Sequence, residues 1–359
     1  MNTRTMAHWL PHWLLSTALL AAPLAASAAQ LNIQTATIPE LEKAMADGAL
    51  TSEALTKAYL ARIAAFDKQG PTINTVIQLN EKALDDAKTL DEERKAGKLR
   101  GPLHGIPVVL KDNIDTFDMP TTAGSTLLKG SVPPDDAFIT KRLREAGAII
   151  LAKLNLSEFA AGGGSTGGSR DVEVIKAGAV PNGYSSMGGQ TRNPHDLDRG
   201  PSGSSGGTGA AIAAAFAQFG LGTDTHSSVR GPSSVNGIVG LKPTNGLMSR
   251  DGIIPLALSL DTAGPMARSV TDIAIALNVM AGVDAADAMT QRAEGKVEKD
   301  YVTFLNKGAL KGKRVGVSRD FNGQNAGADA VYEKAVVALR ALGATVVDVS
   351  YPEYLVLAK

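Results

Sequence analysis

Apolar residues recur at helical spacing over 38–46 and again over 51–66, where Thr51-Ser52-Glu53 adds an N-cap signal at the start of the second run. The stretch 72–78 is rich in β-formers, 81–97 reads as a charged helix, and 107–110 is a short apolar strand ending at Lys111. A helix over 137–146 is stopped by Gly147, and the apolar run 148–152 then predicts a buried strand that delivers Lys153 and Asn155 to its carboxyl end. From 162 to 207 the periodicity gives way to Gly, Ser, Asn and Pro, over a length that ordinary connections do not reach. An alanine-rich helix is expected over 208–219, a strand over 238–241 and a helix over 271–281. Strand 314–318, helix 328–342 and strand 344–349 form a βαβ unit, parallel by its crossover. The rhythm throughout is α/β.

Composition narrows the function classes. With 36 basic against 36 acidic side chains, the 359-residue chain has no net field to draw it to nucleic acid or an anionic membrane. At 4% aromatic residues, base-stacking surfaces are disfavoured as well, so a small or neutral substrate fits better. The absence of cysteine removes disulfides, thiol catalysis and cysteine zinc sites together. At the N-terminus, Arg4, the apolar run 14–24 and Ala26-Ser27-Ala28 have the pattern of a cleaved export signal over residues 1–28. That run is shorter than the roughly 20 residues of a membrane span, so a mature chain from Ala29, periplasmic or secreted and without stable membrane insertion, is expected.

Candidate chemistry concentrates in Gly222-Thr223-Asp224-Thr225-His226-Ser227-Ser228-Val229-Arg230, a serine-rich, glycine-flanked run. A serine needs a base to attack an amide or ester, and histidine occurs only at 8, 12, 104, 195 and 226. Two G-x-S-x-G matches, at Ser165 and Ser205, lack the preceding strand and the acid-then-histidine order that a nucleophile elbow requires. A phosphate loop is also disfavoured, because no G-K-[ST] follows the glycines. Lysine remains as base, provided burial makes the neutral amine available.

Three blocks, in this order, closely resemble the signature of the amidase signature family: Gly105-Ile106-Pro107-Val108-Val109-Leu110-Lys111-Asp112-Asn113, then Gly203-Ser204-Ser205-Gly206-Gly207, then Gly222 to Arg230. The likeness runs from about Ile38 to the C-terminal region, and Ser249 to Pro255 with Asp261 to Arg268 looks most like the bacterial peptide amidase branch. It implies one domain over 29–359 with a central mixed β-sheet covered by helices on both faces. It also implies that the C-terminal part is missing, since family members continue past the point matching Lys359.

For the site, the resemblance implies Ser228 as nucleophile, Ser204 as bridging serine on a cis peptide bond, and Lys111 as base. The backbone N–H groups of Thr225, His226, Ser227 and Ser228 would form the oxyanion hole, with Asp224, Arg230 and Ser205 in support. No cofactor or metal is implied, and a small-molecule or peptide amide is the expected substrate. The family usually carries Gly-Gly where this chain has His226-Ser227. Backbone donors survive that change, but glycine's positive φ and the room it leaves do not. A non-catalytic amide-binding relative, or an esterase or urethane-cleaving variant, are the alternative expectations.

Overall fold

The computed structural model describes residues 31–161, 180–351 and 353. The export signal expected over 1–28 and the match around Ser165 lie outside the described residues.

The first two helices lie where the pattern places them. α1 (Ile38–Ala46) opens with a capping box between Thr37 and Glu40, and α2 (Ser52–Phe66) starts at Thr51, whose hydroxyl accepts from Ala54 N at 3.0 Å. Leu55, Tyr59 and Ile63, spaced four apart, are the buried stripe of α2. β1 (Val76–Leu79) and α3 (Ala83–Lys95) lead to β2 (Pro107–Lys111); α4 (Phe138–Glu145) leads to β3 (Ile149–Leu154). A short hairpin, β4 (Tyr184–Ser185) and β5 (Gly189–Gln190), comes before α5 (Gly206–Ala213).

The next segment departs from the sequence pattern. The helix expected over 208–219 ends at Ala213, Ala215 turns to a φ of 54°, and Phe219 opens strand β6 (Phe219–Asp224). Alanine favours helix locally, but Gln218 N donates to Pro107 O at 3.0 Å, which aligns the following residues with β2, and Phe219 and Leu221 become fully buried there. After α6 (Arg230–Val235) and β7 (Val239–Gly240) comes a second strand that periodicity does not predict, β8 (Thr262–Ala267), then α7 (Val270–Met280).

Six strands form the main sheet in the order β1-β3-β2-β6-β8-β7. Its centre, β3-β2-β6, is parallel and its flanks are antiparallel, so the sheet is mixed. Every residue of β2, β3, β6 and β8 is buried, which requires cover on both faces. The last unit, β9 (Arg314–Ser318), α8 (Ala326–Ala341) and β10 (Thr345–Val349), is the expected parallel βαβ and forms its own two-stranded sheet.

Candidate active site

Parallel strands bring their carboxyl ends to one edge of the sheet, the usual place for a ligand in an open α/β fold. Lys111 is the last residue of β2, Asn155 follows β3, and Thr225 follows β6. The Lys111 side chain is fully buried. Its Nζ lies 2.8 Å from Ser204 Oγ and 2.7 Å from Thr223 Oγ1. Burial pushes its ammonium down to about 7, against the opposing pull of the Asp224 and Asp261 carboxylates.

Ser204 sits on a cis peptide bond after Gly203, and its carbonyl accepts from Ser157 N at 2.9 Å. A Cβ on Gly207 would lie only 2.2 Å from the backbone oxygen of Asn155, so glycine is needed there for the loop to reach the strand ends. Ser205 precedes α5, yet its hydroxyl does not cap the helix. It donates to Thr223 O and accepts from Thr223 N, both at 3.2 Å, pinning the loop to β6. Ser205 N donates to Ser228 O at 3.2 Å, so Ser228 joins the cluster through its backbone. Asn155 fastens the hairpin over this edge: its amide donates to Gly189 O at 2.8 Å, and its Oδ1 accepts from Ser185 Oγ at 2.6 Å.

The turn between β6 and α6 is shaped by charge. Asp224 Oδ2 accepts from Val229 N at 2.9 Å and Arg230 N at 3.3 Å, while Arg230 Nε also reaches it at 3.3 Å. Lys242 Nζ donates to Asp224 Oδ1 (3.0 Å), Asp224 O (2.7 Å) and Thr225 O (2.8 Å). Burial raises the Asp224 carboxyl, but the Val229 N–H, Lys242 and the Arg230 N–H outweigh it and hold the group below the ordinary carboxylate value. Because a trans peptide carries C=O and N–H on opposite sides, fixing the carbonyls of Asp224 and Thr225 on Lys242 turns the N–H groups of Thr225 and His226 the other way. Thr225 Oγ1 is anchored on Asp261 Oδ1, whose other oxygen accepts from Leu256 N and Ala257 N at 2.9 Å each.

The structure thus gathers Lys111, Ser204, Ser205, Asp224, Thr225 and Ser228 at one edge. Ser228 is half-buried, and the side chains of His226 and Ser227 are exposed. Neither His226 nor Ser227 has a positive φ, so this turn does not call on glycine's conformational freedom. His104 is fully buried; its Nδ1 accepts from Arg100 N at 3.2 Å and its Nε2 faces Leu90 O at 2.9 Å. Lys153 pairs with Asp112 at 3.2 Å, and Glu158 accepts from Ser186 N at 2.7 Å. Thr223, Asn113, Lys242 and Asp261 are the site residues that pattern reading missed. Asn113 and Thr223 lie inside the signature blocks, two residues after Lys111 and one before Asp224, and that adjacency was the available signal.

A narrow cleft of about 10 Å³ lies beside Thr223 and Thr225, lined mainly by residues of 250–263. Against known proteins, the profile of the Amidase family matches residues 54–358. The native peptide amidase of Stenotrophomonas maltophilia superposes with a TM-score of 0.81 at 45% identity, over 90% of this chain and 64% of that one. A peptide amidase with the competitive inhibitor chymostatin bound gives 0.82 at 45% identity, over 90% and 64%. A glutamyl-tRNA(Gln) amidotransferase subunit from Caldanaerobacter subterraneus subsp. tengcongensis is 39% identical over 325 residues, 90% of this chain and 61% of that protein. The chain therefore spans less than two thirds of the length of these relatives. With the profile covering most of the sequence and the mixed sheet reproducing theirs, the chain belongs to the amidase signature family.

Proposed function

We propose that this chain hydrolyses carboxamide C–N bonds through a Ser228 acyl-enzyme, with Ser204 relaying protons to Lys111. The observation that carries the reading is the buried Lys111 Nζ, 2.8 Å from Ser204 Oγ, with its ammonium pushed down to about 7. A lysine in that state is neutral often enough to accept a proton near neutral pH. As Ser228 Oγ bonds to the carbonyl carbon, its proton passes to Ser204 and the Ser204 proton to Lys111. The tetrahedral oxygen is received by the N–H groups of Thr225, His226, Ser227 and Ser228. Collapse breaks the C–N bond, and the Lys111 ammonium returns the proton through Ser204 to the departing nitrogen. Water then releases the acid by the same route.

The ordinary backbone φ of His226 and Ser227, which does not require glycine, supports retained hydrolysis over a purely binding role. The resemblance to peptide amidases favours C-terminal peptide amides as substrates. The N-terminal pattern supports export and action outside the cytoplasm. A fluorophosphonate should label Ser228 covalently, and Ser228→Ala, Ser204→Ala and Lys111→Ala should each abolish amide turnover; undiminished turnover in Ser228→Ala overturns the assignment.

A further inference from the structure

The polar groups around the cleft can be accounted for one by one. Thr223 Oγ1 is engaged with Lys111 and Asn113, and Thr225 Oγ1 with Asp261. Both Asp261 oxygens are taken, one by Thr225 and the other by the Leu256 and Ala257 N–H groups. Thr262 Oγ1 donates to Asp224 O at 3.3 Å. The Arg250 guanidinium is held by Asp287 and by Leu258 O, so it presents no free charge to a ligand. Ala160, Ile253, Ile254, Pro255, Leu256 and Leu258 supply the apolar wall.

One acceptor stays open. Asn113 lines the cleft and is 2% exposed; its amide nitrogen donates to Thr223 Oγ1 and to Ile254 O, both at 3.2 Å, while no donor among the described residues reaches its Oδ1. The orientation is fixed chemically, since the Ile254 carbonyl can only accept and so must face the NH₂ group. A buried acceptor without a donor is costly, and it is relieved when a ligand brings one. Its place is also informative. Asn113 Nδ2 touches Thr223 Oγ1, which touches Lys111 Nζ, so the Asn113 carboxamide stands two hydrogen bonds from the proposed base.

From this we infer that Asn113 is a specificity-determining residue whose carboxamide oxygen accepts an N–H of the substrate's scissile carboxamide, selecting uncharged amides over the matching esters. The inference rests on the proposed amide hydrolysis for its substrate class. An ester places an acceptor oxygen where the amide has its N–H, which sets two lone pairs against each other. Sites built to hydrogen-bond a group discriminate strongly against the analogue lacking it.

The test compares N-acetyl-leucinamide with N-acetyl-leucine methyl ester on the full chain, with Asn113→Leu, which has similar volume and no acceptor, and Asn113→Asp, which keeps one. The ratio of amide to ester kcat/KM should fall roughly tenfold to a hundredfold in Asn113→Leu and fall less in Asn113→Asp. A residue that only positioned Lys111 through Thr223 would lower both substrates by one factor, and that outcome overturns the inference. Should Asn113→Leu fail to melt cooperatively, Asn113→Gln, which shifts the oxygen by one methylene, takes its place. Binding of both compounds to Ser228→Ala, measured by calorimetry with and without Asn113→Leu, needs no turnover. An amide preference that disappears with Asn113→Leu upholds the inference even if the wild-type chain hydrolyses neither compound; equal binding of the two compounds with Asn113 in place overturns it.

Discussion

Two lysines lie at the carboxyl ends of neighbouring parallel strands, and both are fully buried, but they face different chemistry. Lys153 Nζ lies 3.2 Å from Asp112 Oδ1 and donates to Thr121 Oγ1 at 2.8 Å and Pro120 O at 3.1 Å. Burial lowers its proton affinity, and the Asp112 carboxylate pushes back. Among the described residues, Lys111 contacts the hydroxyls of Ser204 and Thr223, with Asp224 and Asp261 acting on it from further off. The two differ in what contacts the amine: hydroxyls can bond the neutral amine as readily as the ammonium, whereas an ion pair favours the charged form.

The contrast can be broken at either lysine. The largest effect is expected from Lys111→Met: amide turnover should fall by about 10²- to 10⁴-fold, the usual contribution of a general base. On the proposed mechanism Lys111 acts as the neutral amine, so in the wild type kcat/KM should rise about tenfold per pH unit below about 7 and level off above it. A pH–rate profile that is flat through this range would contradict the base assignment.

Lys153→Met should act on stability instead. Removing one partner of a buried pair leaves Asp112 uncompensated and should cost about 3–5 kcal/mol in urea unfolding, most of it recovered when Asp112→Asn is added. If Lys153→Met costs no stability, the pair is not what distinguishes the two lysines. The smallest effect is expected at Thr223→Val, which removes an acceptor from the Lys111 ammonium. The acidic limb of the pH profile should move to lower pH with a few-fold change in rate, and Thr223→Ser should restore it.

Part of the site was legible along the chain. The apolar run before Lys111 and the buried run before Asn155 predict strands that end at or just before those residues, and both do. Strands buried on both faces carry no alternation, so β6 hid behind the alanines of α5, and β8 was masked by Gly264 and Pro265, residues that normally argue against an inner strand. The same gap concealed Thr223 and Asp261, because their roles depend on β6 lying against β2 and β8.

What the sequence determined alone was the local part: helix ends set by caps, apolar runs that must be buried, the order of the signature blocks, and a supply of hydroxyls and lysines without a usable histidine. Which lysine meets a carboxylate and which meets two hydroxyls was decided only by the tertiary structure. Lys111 and Ser204 are separated by 93 positions in the chain and by 2.8 Å in space. Proton affinity is set by burial and by the groups within a few ångströms, and those are fixed by the packing of parallel strand ends rather than by neighbours in sequence.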